Sequence, residues 1–210
     1  FRGTLSRQLS MRLQKLNVTT TVNDTPESIT AAFQAYLKAC EARRAKRLAS
    51  FTANSPEIVF TKFRTLRPSF FAYTEGASDA RAECNYIAGG TLSKIKMNGI
   101  WAEEETLMTD EDGVYRDPNL HFDGQHLLFS WKKSAKEDDF HLYEMDLKTR
   151  DIKQLTFGKG HADIEGIYLP DENILFNSTR CGSAVDCWFT EVSNMYLCDR
   201  EGRYMRQVGF

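Results

Sequence analysis

The chain has 210 residues, of which 41% are hydrophobic and 12% aromatic, so it can bury a sizeable core and is not expected to be disordered. Its net charge of −2 is unevenly placed, because residues 1–50 carry nine Lys and Arg against three Asp and Glu. That modest basic excess excludes the charge pattern of a nucleic-acid-binding protein. No apolar run approaches the roughly 18–20 residues that cross a bilayer, so no membrane span is predicted.

The first predicted element is a helix over residues 26–49. Thr25 supplies a capping hydroxyl, Pro26 is the favoured first helical residue, and Glu27 places an acid in the first turn. Apolar residues recur along this segment at three-to-four spacing, and the basic residues near its end are interpreted as a solvated surface rather than a binding patch. Residues 1–24 are polar and are expected to be irregular or weakly helical.

A unit of four short strands occurs twice in the second half of the chain, in the same order and with nearly the same spacing. Residues 117–157 form the first copy and residues 164–210 the second. Tyr143 and Tyr196 occupy matching places 53 residues apart. A repeat of about 40–50 residues with four strands is typical of a β-propeller blade.

The predicted fold class is therefore all-β, a partial β-propeller over residues 51–210 preceded by an α-helical segment over residues 1–50. Three blades are expected, at about residues 57–110, 114–158 and 162–210. The first has no obvious innermost strand and carries a long insertion at 64–89. Since a propeller ring has about four to eight blades, the rest of the ring is expected to follow residue 210.

The repeated unit resembles the TolB-like propeller repeat. The resemblance rests on the Asp123-Gly124 turn and the strand after it, on Leu-Tyr-Glu-Met-Asp at 142–146, and on Gln-Leu-Thr-Phe at 154–157. Four stretches resemble, more specifically, the propeller region of proteins related to the hydrazine synthase alpha subunit, and they cover residues 73–79, 113–124, 138–144 and 177–181. The resemblance spans about residues 57–210.

The resemblance implies an exported bacterial protein, periplasmic or extracellular. It does not imply hydrazine chemistry, because attachment of a c-type haem requires Cys-x-x-Cys-His and this segment has no such motif. No cofactor is therefore expected in the segment. Residues 109–113 have a faint calcium-loop pattern, but they lack the full loop with its terminal Glu, and an acidic connector between blades is favoured.

Five polar residues precede or enter the predicted innermost strands and would gather around a central channel: Arg116, Asp117, His161, Asp163 and Glu165. They could converge there on one ligand or cation. The favoured interpretation is that they cap strands and link neighbouring blades by salt bridges, since most loop residues carry no function.

The insertion offers a second group of binding candidates, namely Tyr73, Glu75, Asp79 and Glu83. Aromatic rings beside carboxylates would suit sugars or cationic groups. Packing of this segment over the basic helix is the favoured alternative.

Charged residues also fill the predicted hairpin between the second and third strands of the middle blade, and these are expected to be solvated: Lys132, Lys133, Asp138, Asp139 and His141.

The chain has five cysteines. If the protein is exported, as the resemblance implies, a disulfide between Cys181 and Cys187 is predicted to close a short loop. A metal site is the weaker option there, because no His or second Cys pair lies at zinc-like spacing. Cys198 is interpreted as a small core residue, while the pairing of Cys40 and Cys84 is left open.

The sequence contains neither a Gly-x-Ser-x-Gly elbow nor a phosphate-binding Gly-rich loop. The predicted function is a non-catalytic binding or scaffold propeller module of a larger exported protein, which presents loops to a protein, glycan or cofactor-bearing partner. The alternative is a propeller domain of a redox enzyme resembling the hydrazine synthase alpha subunit, or of a hydrolase. In either enzyme the catalytic site would lie outside this segment.

Overall fold

The computed structural model describes residues 2–65, 86–184, 186 and 191–209. Its helices are α1 (Arg2–Lys15) and α2 (Pro26–Asn54). Its strands, in chain order, are β1 (Glu57–Phe63), β2 (Gly90–Asn98), β3 (Trp101–Asp110), β4 (Val114–Leu120), β5 (His126–Lys132), β6 (His141–Asp146), β7 (Ile152–Gln154), β8 (Asp163–Tyr168), β9 (Ile174–Ser178), β10 (Asn194–Cys198) and β11 (Arg206–Gln207).

The chain divides into two compact units, and the helices lie in the first, which comprises residues 1–58 and 95–103. Helix α2 begins at Pro26, where Thr25 Oγ1 accepts the N–H of Ser28 at 3.3 Å and so satisfies an amide that has no partner within the helix. It continues past the predicted end at residue 49. Neither described helix is both long and apolar enough to span a membrane.

Helix α1 differs from the sequence-based expectation, which was an irregular or weakly helical segment. Leu9 and Leu13 are one helical turn apart and therefore lie on the same face, where they are buried against Ala32 of α2. This pair of leucines is a short apolar stripe in a segment that is otherwise polar. Packing against α2 stabilises a helix whose own sequence pattern is weak.

Most of the β-structure lies in the second unit, residues 59–94 and 104–210. The strands form sheet 1 (β1-β2-β3), sheet 2 (β4-β5-β6-β7) and sheet 3 (β8-β9-β10-β11), each ordered as in the chain. Neighbouring strands of sheets 2 and 3 are antiparallel. The described sheets do not close into a ring, and the number of blades stays a prediction.

The first strands of sheets 2 and 3 share an irregularity. Pairing shifts between Arg116 and Asn119 in β4, and between Ile164 and Ile167 in β8. Asp117 has φ 54° and Glu165 has φ 56°, both in the left-handed region that few non-glycine residues occupy. A bulge of this kind redirects a side chain, and its recurrence places two carboxylates at matching positions of successive sheets.

Sheet 2 packs on both of its faces, because alternate residues of a strand point to opposite sides. Phe129, Tyr143 and Met145 pack on one side in a cluster with Leu92 of sheet 1. On the other side, three leucines pack against the buried face of sheet 3. They are Leu128 and Leu142 of sheet 2 and Leu155, which directly follows β7. The residues of sheet 3 in this cluster include Phe176, Tyr196 and Cys198. The equivalent residues Tyr143 and Tyr196 therefore both face the preceding sheet.

The contact between sheets 2 and 3 is close at Gly166. A Cβ atom at that position would lie 2.9 Å from Leu128 Cδ2 and 3.0 Å from Leu142 Cδ2. Such separations are below ordinary van der Waals contact, so glycine allows β8 to approach the leucine face of sheet 2.

The prediction that the charged hairpin between β5 and β6 is solvated is confirmed for Lys133, which is exposed, but it is wrong for three other residues. Lys132, Asp139 and His141 are all buried. The Lys132 ammonium lies 5.7 Å from the ring centroid of Phe140, and Asp139 Oδ2 accepts the N–H of Gly160 at 2.8 Å. Charge pattern alone assigns such residues to solvent, whereas aromatic and backbone partners here accommodate them inside.

Candidate functional site

The recurring bulge places Asp117 between its own sheet and the next. Its Oδ2 atom accepts a hydrogen bond from Arg116 Nε at 2.6 Å and another from the backbone N–H of Glu165 at 3.1 Å. Residues 116 and 117 belong to β4, while residue 165 belongs to β8. The carboxylate therefore joins the first strand of sheet 2 to the first strand of sheet 3.

Arg116 is the cation of this network and is nearly buried. It donates from Nη1 to the hydroxyl of Tyr86 at 2.8 Å and from Nη2 to Glu165 Oε1 at 3.4 Å. Asn177 Nδ2 donates to the other oxygen of Glu165 at 2.6 Å. Burial would lower the pKa of Arg116, but the neighbouring Tyr86 and Asp117 raise it, so the guanidinium keeps its charge.

A second network surrounds Asp163, whose side chain is fully buried at the start of β8. It accepts hydrogen bonds from Ser178 Oγ at 2.6 Å and from Arg180 Nε and Nη2 at 3.0 and 2.7 Å. His141 Nδ1 lies 3.5 Å away. Burial would raise the pKa of Asp163, but the hydrogen bonds from His141, Arg180 and Ser178 lower it, so the buried group is a carboxylate.

His161 lies beside the second network, with its ring centroid 6.0 Å from that of His141. Its Nε2 atom is 3.1 Å from the carbonyl oxygen of Phe157, and Arg180 Nη2 donates to the same carbonyl at 3.0 Å. The five predicted channel residues thus fall into two networks. Arg116, Asp117 and Glu165 form the first, and His161 and Asp163 lie in the second.

The chemistry of both networks is the pairing of opposite charges, and the Asp117–Glu165 contact joins two sheets. The favoured interpretation expected such residues to link neighbouring blades, and here the contact links two sheets; the role of these residues, and ligand binding by them, stay predictions. The sequence reasoning missed Tyr86, Asn177, Ser178 and Arg180 as their partners. Three of these lie in the stretch 177–181, which the family resemblance had singled out without assigning it a role.

Several other predicted sites lie wholly or partly outside the described residues. These include the insertion-loop candidates Tyr73, Glu75, Asp79 and Glu83, and also Cys187. The structure gives no support to the predicted disulfide, because Cys181 is a free thiol whose Sγ atom lies 3.2 Å from the carbonyl oxygen of Val192. The Cys181–Cys187 pairing therefore stays a prediction.

Cys198 is buried in the core between sheets 2 and 3, in agreement with its interpretation as a small core residue. Burial raises the pKa of its thiol to about 12.

In the acidic connector over residues 109–113, Asp110 Oδ1 accepts the N–H groups of Asp112 and Gly113, each at 3.0 Å, and Oδ2 accepts a hydrogen bond from Trp131 Nε1 at 2.8 Å. Oδ1 thus serves the turn itself, and Oδ2 joins the turn to Trp131 of β5.

Comparison with known proteins assigns no family. No family model matches the chain, and no curated protein matches it. Among solved structures, TolB from Acinetobacter baumannii is 16% identical, with a TM-score of 0.37 over 82% of this chain and 48% of its own. A puromycin hydrolase is 14% identical, with a TM-score of 0.42 over 59% of this chain and 18% of its own.

A puromycin-hydrolysing peptidase from Mycobacterium tuberculosis is 9% identical, with a TM-score of 0.37 over 72% of this chain and 26% of its own. The chain thus spans less than half of each of these proteins. The similarities are too low to support an argument about function, and they do not show a relationship to the hydrazine synthase alpha subunit.

Proposed function

We propose that this chain is a non-catalytic scaffold module of the β-propeller type, and that its main binding surface is the face of sheet 3 that the described part of the chain leaves exposed. The occupant of that face is a further four-stranded sheet of the same repeat, stacked as the next blade. One observation carries the proposal, namely that the face which sheet 2 buries against its neighbour has an equivalent on sheet 3.

The equivalence follows from the repeat. Leu128, Leu142 and Leu155 are the residues of the first copy of the repeat that pack against sheet 3. A shift of 47 residues, as between Phe129 and Phe176, relates Leu128 to Leu175, and a shift of 53 relates the other two to Met195 and Val208. The apolar character of all three positions is therefore preserved in the next unit.

Burial is what distinguishes the two faces. Leu128, Leu142 and Leu155 are at most 2% exposed, whereas Met195 is 47% exposed and Val208 39% exposed. Ile167 of β8 adds another exposed apolar side chain to sheet 3. An apolar sheet face is stable only when another layer covers it, so exposed apolar side chains at these positions indicate an interaction surface.

The same repeat indicates what covers the face. Sheet 3 meets the leucines of sheet 2 with Phe176, Tyr196 and Cys198, and sheet 2 meets sheet 1 with the matching Phe129, Tyr143 and Met145. In stacked repeats each unit contacts only its neighbours through one recurring interface. A sheet with the same aromatic pattern would complete the third instance of that interface.

The proposal can be tested by adding one sheet to the chain. A copy of residues 158–210 fused directly after residue 210 keeps the spacing of the preceding unit and supplies a new Phe/Tyr/Cys face. We expect the midpoint of thermal unfolding to rise by at least about 2 °C, the lower end of the shift that about 1 kcal/mol gives in a chain of this size. The measurement is circular dichroism during heating, for the chain with and without the added copy.

Met195→Asp in the original copy of the same extended chain is the matched control, because it places a charge at the new interface only. It should abolish the increase while leaving the rest of the repeat intact. A midpoint that does not rise, or a rise that Met195→Asp leaves unchanged, contradicts the proposal.

Export is a separate part of the proposed function and rests on the family resemblance. An oxidising compartment would favour the predicted loop disulfide. In material isolated from such a compartment, mass spectrometry of non-reduced peptides should show Cys181 linked to Cys187. Two free thiols in that material would rule out the disulfide.

A further inference from the structure

The turn between β4 and β5 brings three potential metal ligands together, apart from the two networks described above. His121, Asp123 and His126 each offer one ligand atom, and these atoms lie within 4.8 Å of one another. Asp123 Oδ2 is 2.9 Å from His121 Nδ1 and 2.7 Å from His126 Nδ1. A single carboxylate oxygen therefore faces two imidazoles.

The backbone of the turn fixes the Asp123 carboxylate. Its Oδ1 atom accepts the N–H of Gln125 at 2.7 Å and that of His126 at 3.2 Å, which directs Oδ2 toward the two rings.

The tautomer of His121 follows from its contacts on the other side. Glu172, from the turn between β8 and β9, places Oε2 3.1 Å from His121 Nε2, and Arg200 Nη1 lies 3.2 Å from the same oxygen. A carboxylate paired with Arg200 can only accept a hydrogen from Nε2, and the neutral ring that carries this hydrogen has its lone pair at Nδ1. The backbone N–H of Asp123, 3.2 Å from Nδ1, is placed to donate to that lone pair.

In that tautomer, two acceptors are in contact. Nδ1 of His121 and Oδ2 of Asp123 are 2.9 Å apart, and a proton or a metal ion between them would satisfy both. A proton bridges only two atoms. A metal ion can also engage His126 Nδ1, which approaches the same oxygen.

Both histidines have a carboxylate near the remaining ring nitrogen. Glu172 faces Nε2 of His121, and Asp146 Oδ2 lies 4.0 Å from Nε2 of His126. Histidines that bind metals through one nitrogen almost always donate the other N–H to a carboxylate, a carbonyl group or water, which fixes the ring orientation. His121 is further held by the ring of Tyr168, with the centroids 4.6 Å apart.

We propose that His121 Nδ1, Asp123 Oδ2 and His126 Nδ1 bind one divalent transition-metal ion of the Zn²⁺ type, with Glu172 and Asp146 orienting the imidazoles. Two imidazoles and one carboxylate favour such ions, whereas Ca²⁺ and Mg²⁺ prefer oxygen ligands alone. Asp123 and His126 are partly exposed, so the ion can enter from solvent and water can complete its coordination.

A second group of possible ligands, His141, His161 and Asp163, has similar spacing. There the guanidinium of Arg180 already bonds to both oxygens of the carboxylate, at 3.0 and 2.7 Å. A bound cation would have to displace that arginine. We therefore expect a metal ion to bind at His121, Asp123 and His126 and not at this second group.

The experiment is a titration of the full chain with Co²⁺ and then Zn²⁺, since the visible absorption of cobalt reports its ligands and calorimetry reports the zinc affinity. We expect one Co²⁺ per chain, no sulfur-to-cobalt charge-transfer band, and displacement by one Zn²⁺. His126→Ala, at a partly exposed position, should weaken binding at least about tenfold, the lower limit found even for residues that only orient a ligand.

Gln125→Ala is the matched control in the same turn and should bind as the unmodified chain does. His161→Ala tests the other cluster and should also retain binding. The proposal is overturned if saturable binding is absent, if a charge-transfer band identifies cysteine ligands, or if His161→Ala rather than His126→Ala removes binding. Circular dichroism of each variant confirms that the fold is retained.

Discussion

Asp163→Asn should lower the free energy of unfolding at neutral pH by about 3–5 kcal/mol, the loss typical when one partner of a buried ion pair is removed. The side chain of Asp163 is fully buried, and that of Arg180 is only 22% exposed. The substitution keeps the shape of the side chain but removes the charge that the guanidinium requires. Urea unfolding of the two chains measures the difference.

The pH dependence of this difference has a definite sign. Because the pKa of Asp163 is lower in the folded chain, its contribution is complete above the pKa of an unfolded Asp, about 3.9. The contribution is lost as the pH falls through the lower folded value. The difference between the two chains should therefore shrink in acid, and a difference that is constant from pH 7 to pH 3 would contradict this account.

A control for Asp163 is available at Asp171, in the turn between β8 and β9. Its oxygens accept the backbone N–H of Asn173 at 3.2 Å and the side-chain amide of the same residue at 2.8 Å. Asn can still accept at this exposed position, so Asp171→Asn should leave unfolding at neutral pH essentially unchanged. The pair of variants separates the burial of the charge from the chemistry of the substitution.

The second large effect concerns the leucine face of sheet 2. Leu142→Ala should lower the free energy of unfolding by about 2–5 kcal/mol, because the side chain is fully buried against sheet 3 and its loss leaves a cavity. Met195→Ala, at the equivalent position one unit later, should change it by less than about 1 kcal/mol, since that side chain is 47% exposed.

The comparison of the two variants tests whether the repeat predicts the covered and uncovered faces correctly. Thermal or urea unfolding of both chains is sufficient. If both substitutions lower the free energy of unfolding by about 2 kcal/mol or more, sheet 3 is already covered on the face considered open. If both lower it by less than about 1 kcal/mol, sheets 2 and 3 are not packed as described.

The sequence predicted the strands of sheets 2 and 3 because two signals agree there. Alternating apolar residues define each strand, and the 53-residue shift from Tyr143 to Tyr196 shows that the second set repeats the first. Residues such as Met145 and Cys198 could then be placed on matching buried faces before any coordinates were known, as the two clusters confirm.

Other features depend on contacts that no local pattern shows. The partners of Asp163 come from the end of β9 and from Arg180, which approach it only after β8 and β9 pair. The burial of Lys132 depends on the rings of Tyr86 and Phe140, far from one another in the sequence. Local charge pattern predicts solvent exposure in such cases, and tertiary packing overrides it.

The proposed metal-binding turn was not predicted from the sequence, for a different reason. His121, Asp123 and His126 lie within six residues, but the Asp123-Gly124 pair is itself a sufficient explanation for a hairpin turn. Glu172, whose carboxylate lies beside His121, belongs to the next repeat, 51 residues from His121. This contact forms only because sheet 3 packs against sheet 2.

The most direct test of stacked sheets that share one interface is a crystal structure of the extended chain with residues 158–210 duplicated. The account predicts that the added sheet lies face to face on sheet 3, with its copies of Phe176 and Tyr196 against Leu175, Met195 and Val208. An added sheet that pairs edge to edge with β11, or that makes no contact with that face, would contradict it.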